Sequence, residues 1–197
     1  NNASSETGFR IERSPDGISF TEIATRVANV STYADAGLSA STQYWYRVTA
    51  YRTMATESAN ASTGPVGTPP RAPTGLTTNP SSNSVALTWT DNSTVETGFL
   101  VERATTSGGP YSPVGNAPPK AGTGTTTFTD TNGAIDGTQY YYRVSAVKTG
   151  FPSSTYAGPT GALTQLTSWR CRNLGADRVS CRLSPPNWPG VAPWPSR

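Results

Sequence analysis

Residues 6–13 read Glu6-Thr7-Gly8-Phe9-Arg10-Ile11-Glu12-Arg13, and residues 96–103 read Glu96-Thr97-Gly98-Phe99-Leu100-Val101-Glu102-Arg103. The offset is 90 residues. A second match lies downstream: Thr42-Gln43-Tyr44-Trp45-Tyr46-Arg47-Val48 against Thr138-Gln139-Tyr140-Tyr141-Tyr142-Arg143-Val144, at an offset of 96. Two ordered matches with a small change of offset mark one module present twice, the second copy carrying extra loop residues near Gly108-Gly109-Pro110 and between Ala117 and Gly124. Loops on a surface tolerate such growth. A period near 90 is too long for a solenoid unit and fits a small sandwich domain. Between the copies, the Pro-rich stretch Gly64 to Pro73 reads as an extended, semi-rigid linker.

The second copy alternates in the manner of strands. Val85, Leu87 and Trp89 share one face of Ser84–Thr90 before Asp91-Asn92-Ser93 ends the run with turn formers. Phe99 and Val101 alternate with Leu100 and Glu102, which places Glu102, and Glu12 in the first copy, toward solvent. Thr125–Asp130 forms a strand anchored by Phe128, and Gln139–Lys148 puts Tyr140, Tyr142, Val144 and Ala146 on one face. A last strand is expected near Ser153–Ala157. Asp16-Gly17 reads as a hairpin turn. Pro and Gly interrupt every window long enough to show a helical period. Short strands at regular spacing with turn signals indicate an all-β sandwich.

These residues carry a family resemblance. Leu87-Thr88-Trp89 followed by Asp91-Asn92, then Gly98 to Arg103, then Thr138 to Val144, resembles a fibronectin type III domain. The resemblance covers roughly residues 1–164. It implies tandem immunoglobulin-like sandwiches in which Trp89 fills the core from the second strand, with Phe99 and Val101 beside it. It also implies that Tyr44 and Tyr140 form tyrosine corners, their hydroxyls bonding to the chain just upstream. Leu38 fits the family's corner leucine; in the second copy Ala134 or Ile135 would serve. The first copy starts inside the loop before the third strand, so it lacks the first two strands and the core tryptophan. The expected organisation is a truncated module over 1–68, a complete one over 69–164 and a tail over 165–197.

The tail differs in kind. It holds Trp169, Trp188, Trp194, both cysteines, and arginines and prolines without periodicity. Two readings stay open: a disordered Pro-rich tail, with Cys171 and Cys181 bridged or not, and a shifted reading frame, since foldable sequence shows local consistency. The tail also accounts for the basicity. Residues 1–165 carry ten Lys+Arg against eleven Asp+Glu, whereas Arg170, Arg172, Arg178, Arg182 and Arg197 face Asp177 alone. The modules therefore lack the basic stripe of a nucleic-acid surface. No apolar run reaches the roughly 18 residues that span a bilayer, so membrane insertion is not expected.

Histidine is absent, which removes Ser-His-Asp and Cys-His sites and His-bearing zinc sites. Gly-x-Ser-x-Gly and phosphate-loop patterns do not occur. No catalytic, cofactor-binding or metal-ligating residue stands out, and the chain reads as non-catalytic. The middle residues of the two aromatic triplets, Trp45 and Tyr141, point outward. They serve either as stacking contacts for a sugar or protein or as cross-strand packing on a sheet surface. Four sequons begin at Asn2, Asn29, Asn60 and Asn92, and no Arg-Gly-Asp is present.

The function implied is that of a secreted or cell-surface binding or spacer array, attached to further domains of the same parent chain and contacting an extracellular protein or polysaccharide. The wording of the motifs looks most like repeats in bacterial secreted or surface proteins. The alternatives are an accessory region of a secreted glycoside hydrolase or peptidase, or a fragment of an adhesion or receptor ectodomain. An uncovered inner face makes the first copy the weaker of the two. Limited proteolysis of the chain is expected to cut within residues 1–68 well before 69–164; equal resistance of the two would refute the truncation.

Overall fold

The computed structural model describes residues 6–53, 57–135, 137–165, 169–173 and 179–183, the last two stretches as backbone only. Every regular element among them is a strand. The chain divides into two compact units, one of residues 1–71 with 148–153, the other of 72–147 with 154–197.

The second unit is a closed sandwich. One sheet has three strands in the order β5 (Thr74–Pro80), β6 (Val85–Asp91), β9 (Gly124–Asp130). The other has four, in the order β11 (Ala157–Leu163), β10 (Gln139–Val147), β7 (Gly98–Ala104), β8 (Ser112–Ala117). All pairs are antiparallel. Side chains alternate across a pleated strand, so each sheet turns one apolar row inward. Val85, Leu87 and Trp89 from β6 meet Phe99 and Val101 from β7 and Tyr140, Tyr142, Val144 and Ala146 from β10. Most of these are sealed; Trp89 is 1% exposed and Phe99 0%. Their rings meet edge to face, centroids 5.3 Å apart at 65°, a geometry worth about 0.5–1.5 kcal/mol beyond burial itself. Phe128 packs against this core half-buried.

The last strand lies at Ala157–Leu163 and not at the expected Ser153–Ala157. The polar segment before it is irregular, and Ser154 Oγ accepts the Ala146 N–H at 2.9 Å, which leads the chain into the pairing of Val144 with Ala157. Part of the stretch read as linker is also strand, because residues 64–67 lie in the strand Ala61–Gly67.

The first unit has a single four-stranded sheet, in the order β2 (Thr21–Val27), β1 (Gly8–Ser14), β3 (Gln43–Tyr51), β4 (Ala61–Gly67). It matches the four-stranded sheet of the second unit, strand for strand. The β1–β2 turn is longer than a two-residue hairpin. Asp16 caps it, its Oδ1 accepting the Ser14 hydroxyl and the N–H groups of Ile18 and Ser19. These bonds hold its carboxyl far below the usual range.

Both units repeat two polar fixtures. In the first, the tyrosine hydroxyl closes a corner: Ser39 N–H donates to Tyr44 Oη at 3.1 Å and Ile135 N–H to Tyr140 Oη at 3.2 Å. A threonine completes each corner. Thr68 Oγ1 donates to Ser39 O and accepts Thr42 N–H, and Thr164 Oγ1 donates to Ile135 O and accepts Thr138 N–H. Leu38 is half-buried at its corner; in the second unit Ala134 is buried while Ile135 is 57% exposed. In the second fixture a carboxylate gathers an arginine and a tyrosine. Asp35 accepts from Arg13 Nη1 and Tyr46 Oη, both at 2.9 Å, and Asp130 from Arg103 Nη1 at 2.7 Å and Tyr142 Oη at 2.9 Å. Burial, with the aspartate beside it, pushes Tyr46 up to about 12 and Tyr142 higher still.

In the tail, β12 (Trp169–Asn173) and β13 (Val179–Leu183) form an antiparallel pair with Cys171 opposite Cys181 in register. The bridging of those cysteines, the tail's side chains and the sequon at Asn2 lie outside the described residues.

Removing the indole that joins the two sheets leaves a cavity the surroundings cannot fill. Trp89→Ala is expected to cost the second unit about 3–5 kcal/mol in denaturant unfolding. Trp89→Phe should cost clearly less, because Trp89 Nε1 is buried without a hydrogen-bond partner among the described residues.

Candidate contact surface

Three places in the described residues bear on function: the outer face of each four-stranded sheet, the inner face of the first unit, and a pair of buried carboxyls in the second.

On the outer face of the second unit, Arg143 on β10 pairs through Nε with Glu102 Oε2 at 2.9 Å. Its guanidinium lies between two rings, 3.9 Å from the Tyr156 centroid and 4.2 Å from that of Tyr111. The first unit repeats the ion pair, Arg47 holding Glu12 through two bonds of 2.7 and 2.9 Å, with Phe20 at 4.4 Å as its one ring. The two glutamates are therefore not solvent-facing in effect. Alternation sends them outward, but the arginine and its rings lie over them and leave each 7% exposed. The arginine stems cover apolar surface while the cations keep their partners.

Trp45 and Tyr141 stand on these outer faces, both half-buried. Trp45 packs onto glycine: a Cβ on Gly64 would lie 2.7 Å from its Cδ1, and one on Gly17 3.2 Å from its Cε2. Tyr141 sits beside its register partner Gly161, where a Cβ would fall 3.6 Å from the ring. An aromatic lying on a cross-strand glycine covers backbone that has no side chain of its own. The most open ring of the outer face is Tyr156, 42% exposed. Tyr156 was not signalled by the sequence, because Asn60 stands at its place in the first copy, whereas Tyr111 precedes β8 as Phe20 precedes β2 and each ring lies on the matching arginine. Arg13 and Arg103 close the two matched motifs, but their partners Asp35/Asp130 and the corner pair Thr68/Thr164 escaped the motif reading, although they recur at offsets of 95 and 96.

The inner face of the first unit is open. Phe9, Ile11, Tyr33, Val48, Ala50 and Ala61 line a groove of about 570 Å³, with Arg26 stacked on Tyr33 at 4.6 Å. Val48 is 37% exposed, while its counterpart Val144 is 0% exposed.

No protein-family model matches the chain, and none of the curated proteins does. Solved structures do. The chain is 33% identical to an Fn3-like protein from Clostridium thermocellum, over 49% of this chain and 92% of that one, with a TM-score of 0.37. A two-domain fibronectin type III segment of chicken tenascin is 18% identical over 84% of this chain and 87% of its own, at a TM-score of 0.45. The chicken interferon gamma receptor alpha chain is 11% identical over 84% and 89%, at 0.42.

The buried carboxyls are Asp91, 0% exposed, and Glu96, 7% exposed. Asp91 Oδ1 accepts the Ser93 N–H at 2.9 Å, but Asp91 Oδ2 and Glu96 Oε2 are buried without hydrogen-bond partners among the described residues. Burial pushes the Asp91 carboxyl above its ordinary range. The Ser93 N–H opposes this, Glu96 adds to it and Lys120 offsets part. A carboxyl whose folded value is raised contributes stability at low pH and loses it as pH climbs past the ordinary aspartate value toward the raised one. Asp91→Asn keeps the acceptor for Ser93 and removes the charge. It is therefore expected to raise the melting temperature of the second unit at neutral pH and to make no difference near about pH 3, where the unfolded aspartate is itself protonated.

Proposed function

Because this chain belongs to the fibronectin type III family, being 33% identical to an Fn3-like protein across 92% of that protein and 49% of this chain, we propose that it is a non-catalytic, extracellular module array. In this reading it spaces the domains of a larger modular protein and offers an outer sheet face to a protein or polysaccharide. The observation that carries the reading is the reuse of one polar framework in both units. Four carboxylates of that framework are held as structural partners: Asp35 and Asp130 by arginine and tyrosine, Glu12 and Glu102 by arginine. General acid–base work needs a carboxyl free to exchange its proton with a substrate, and these are committed elsewhere. The solvent-facing chemistry is of another kind, a guanidinium between two tyrosine rings with Tyr156 open on one side. Flat apolar rings with polar edges suit sugar rings and protein side chains alike.

Extracellular placement follows the same reading. The tenascin and receptor similarities are in keeping with it, and the charge balance of residues 1–165 gives no pull toward nucleic acid. Further domains of the parent chain, not these modules, would hold any activity.

The test is retention of the full chain on immobilised polysaccharides and on extracellular matrix proteins, beside a Tyr111→Ala/Tyr156→Ala variant. Retention on one of these surfaces, weakened about tenfold or more in the variant at about 1–3 kcal/mol per lost stacking contact, is the expected result. Retention by neither leaves the spacer role alone. Turnover of a glycoside or peptide substrate by the purified chain would overturn the non-catalytic reading.

A further inference from the structure

The sequence holds one Asn-Gly dipeptide, Asn132-Gly133. It lies in the loop that leaves β9, and both residues are exposed. No hydrogen bond holds the Asn132 side chain among the described residues. Around Gly133, at φ 67, a Cβ would meet nothing within 4 Å, and its N–H reaches only Thr131 O of the same turn, at 3.1 Å. The other described asparagines differ. Asn92 Nδ2 donates to Ala72 O and Thr74 Oγ1, and Asn60 Oδ1 accepts from Thr49. Asn79 precedes Pro80, which has no amide hydrogen, and Asn29 precedes the β-branched Val30. Asn116 lies in β8, paired with Leu100. Asn83 is as exposed as Asn132, but Ser84 follows it.

An asparagine side-chain carbonyl carbon and the amide nitrogen of the next residue can close a five-membered ring. A side chain on that next residue crowds the nitrogen, and glycine has none. The nitrogen attacks the carbonyl carbon and gives up its proton, the side-chain amide leaves as ammonia, and a succinimide remains. Water then opens the ring at either carbonyl. One opening gives aspartate. The other gives isoaspartate, in which the chain runs through the β-carbon. One water is consumed and one ammonia released, so the step calls for no other reactant. Asparagine is among the thermolabile residues for this reason.

We propose that Asn132 is a site of spontaneous deamidation, and that the isoaspartate formed there loosens the tyrosine corner of the second unit. Two anchors flank the site. On one side Asp130, 1% exposed, accepts the Asn132 N–H on Oδ1 at 2.9 Å while its Oδ2 holds Arg103 and Tyr142. On the other, the Ile135 N–H donates to Tyr140 Oη at 3.2 Å and the Ile135 carbonyl accepts from Thr164 Oγ1. Isoaspartate adds a methylene to the short backbone path between them, and either product sets a second carboxylate close to Asp130. The first unit supplies the contrast. Asp35-Ala36-Gly37-Leu38 corresponds to Asp130-Thr131-Asn132-Gly133-Ala134 and is shorter by the asparagine position. Gly37 and Gly133 share the left-handed backbone, at φ 71 and 67, and the Ser39 N–H meets Tyr44 Oη as the Ile135 N–H meets Tyr140 Oη. The same corner therefore exists in the first unit without the reactive pair. Asp16-Gly17 is no rival, since three donors hold Asp16 Oδ1 as a carboxylate.

The experiment ages the full chain in mildly alkaline buffer and follows it by peptide mass mapping, with isoaspartate counted by methyl transfer from S-adenosylmethionine through an isoaspartyl methyltransferase. Conversion at Asn132 should outrun that at Asn83 by about tenfold, a barrier difference of about 1.4 kcal/mol. Amide hydrogen exchange reads the corner, and the amides of β10 report that each sample is folded. In the aged chain the Ile135 amide should exchange about fivefold faster, as for the loss of one hydrogen bond, while Ser39 keeps its rate. Asn132→Ser should abolish both the methyl acceptance of this peptide and the change at Ile135. Asn132 keeping its amide while Asn83 converts would overturn the site. Conversion at Asn132 with Ile135 unmoved, or an equal change at Ile135 in the aged Asn132→Ser chain, would overturn its link to the corner.

Discussion

The contact between Trp89 and Phe99 lies at the centre of the packing that joins the two layers of the second unit. Each sheet of the second unit satisfies its own backbone hydrogen bonds, and those bonds run within layers, not between them. What crosses the gap is chiefly apolar area, with the bonds of Asp130 on β9 to Arg103 and Tyr142 beside it, and the indole at the middle of β6 is the largest fully buried side chain, resting edge-on against a phenyl from the facing layer. Full burial of a large apolar side chain contributes about 1.5–3 kcal/mol, a sizeable share of the net stability of a domain this small. The first unit shows what the same inner face looks like when no indole arrives. Val48, Ala50 and Phe9 keep their places on the sheet and lose their cover.

The polar fixtures behave differently. The tyrosine corner, its threonine clamp and the arginine–aspartate–tyrosine cluster form in both units with nearly the same distances, although only one unit is closed. The corners tie a sheet to the loop just upstream, whereas in the second unit the carboxylate cluster also crosses the layers, since Asp130 ends β9 of one sheet and Arg103 and Tyr142 stand on β7 and β10 of the other; Asp35 holds the corresponding place in the first unit outside any strand. A buried carboxylate that accepts from both a guanidinium and a phenol has its lone pairs satisfied, and this separates Asp130 from Asp91. The two are equally buried. Asp130 meets two donors on one oxygen and the Asn132 N–H on the other, whereas Asp91 leaves one oxygen bare beside Glu96.

The outer faces carry the remaining chemistry. Guanidinium groups there are shared between a carboxylate and aromatic rings, and aromatics lie across glycines of the neighbouring strand. A surface of this kind is stiff, polar at its edges and apolar at its ring faces. Such a surface presents ring faces and polar edges without a cleft.

Much of this was legible in the residues themselves. The duplication, the all-β class, the strand carrying Val85, Leu87 and Trp89, and the inward row from Tyr140 to Ala146 follow from period-two alternation and repetition, both of which are local properties of a chain. The corner tyrosines came from resemblance, and their hydroxyls are placed accordingly. Other features needed three dimensions. The start of β11 is governed by its pairing with β10 and by Ser154, so composition pointed a few residues early. Glu12 and Glu102 sit on the outward side that alternation assigns, yet they are covered, because arginines and rings from distant positions close over them. Likewise, whether an outward aromatic stands free or lies on a glycine depends on register with a strand far away in sequence. Alternation decides which face a side chain takes; only the packing of remote segments decides what, if anything, lies against it.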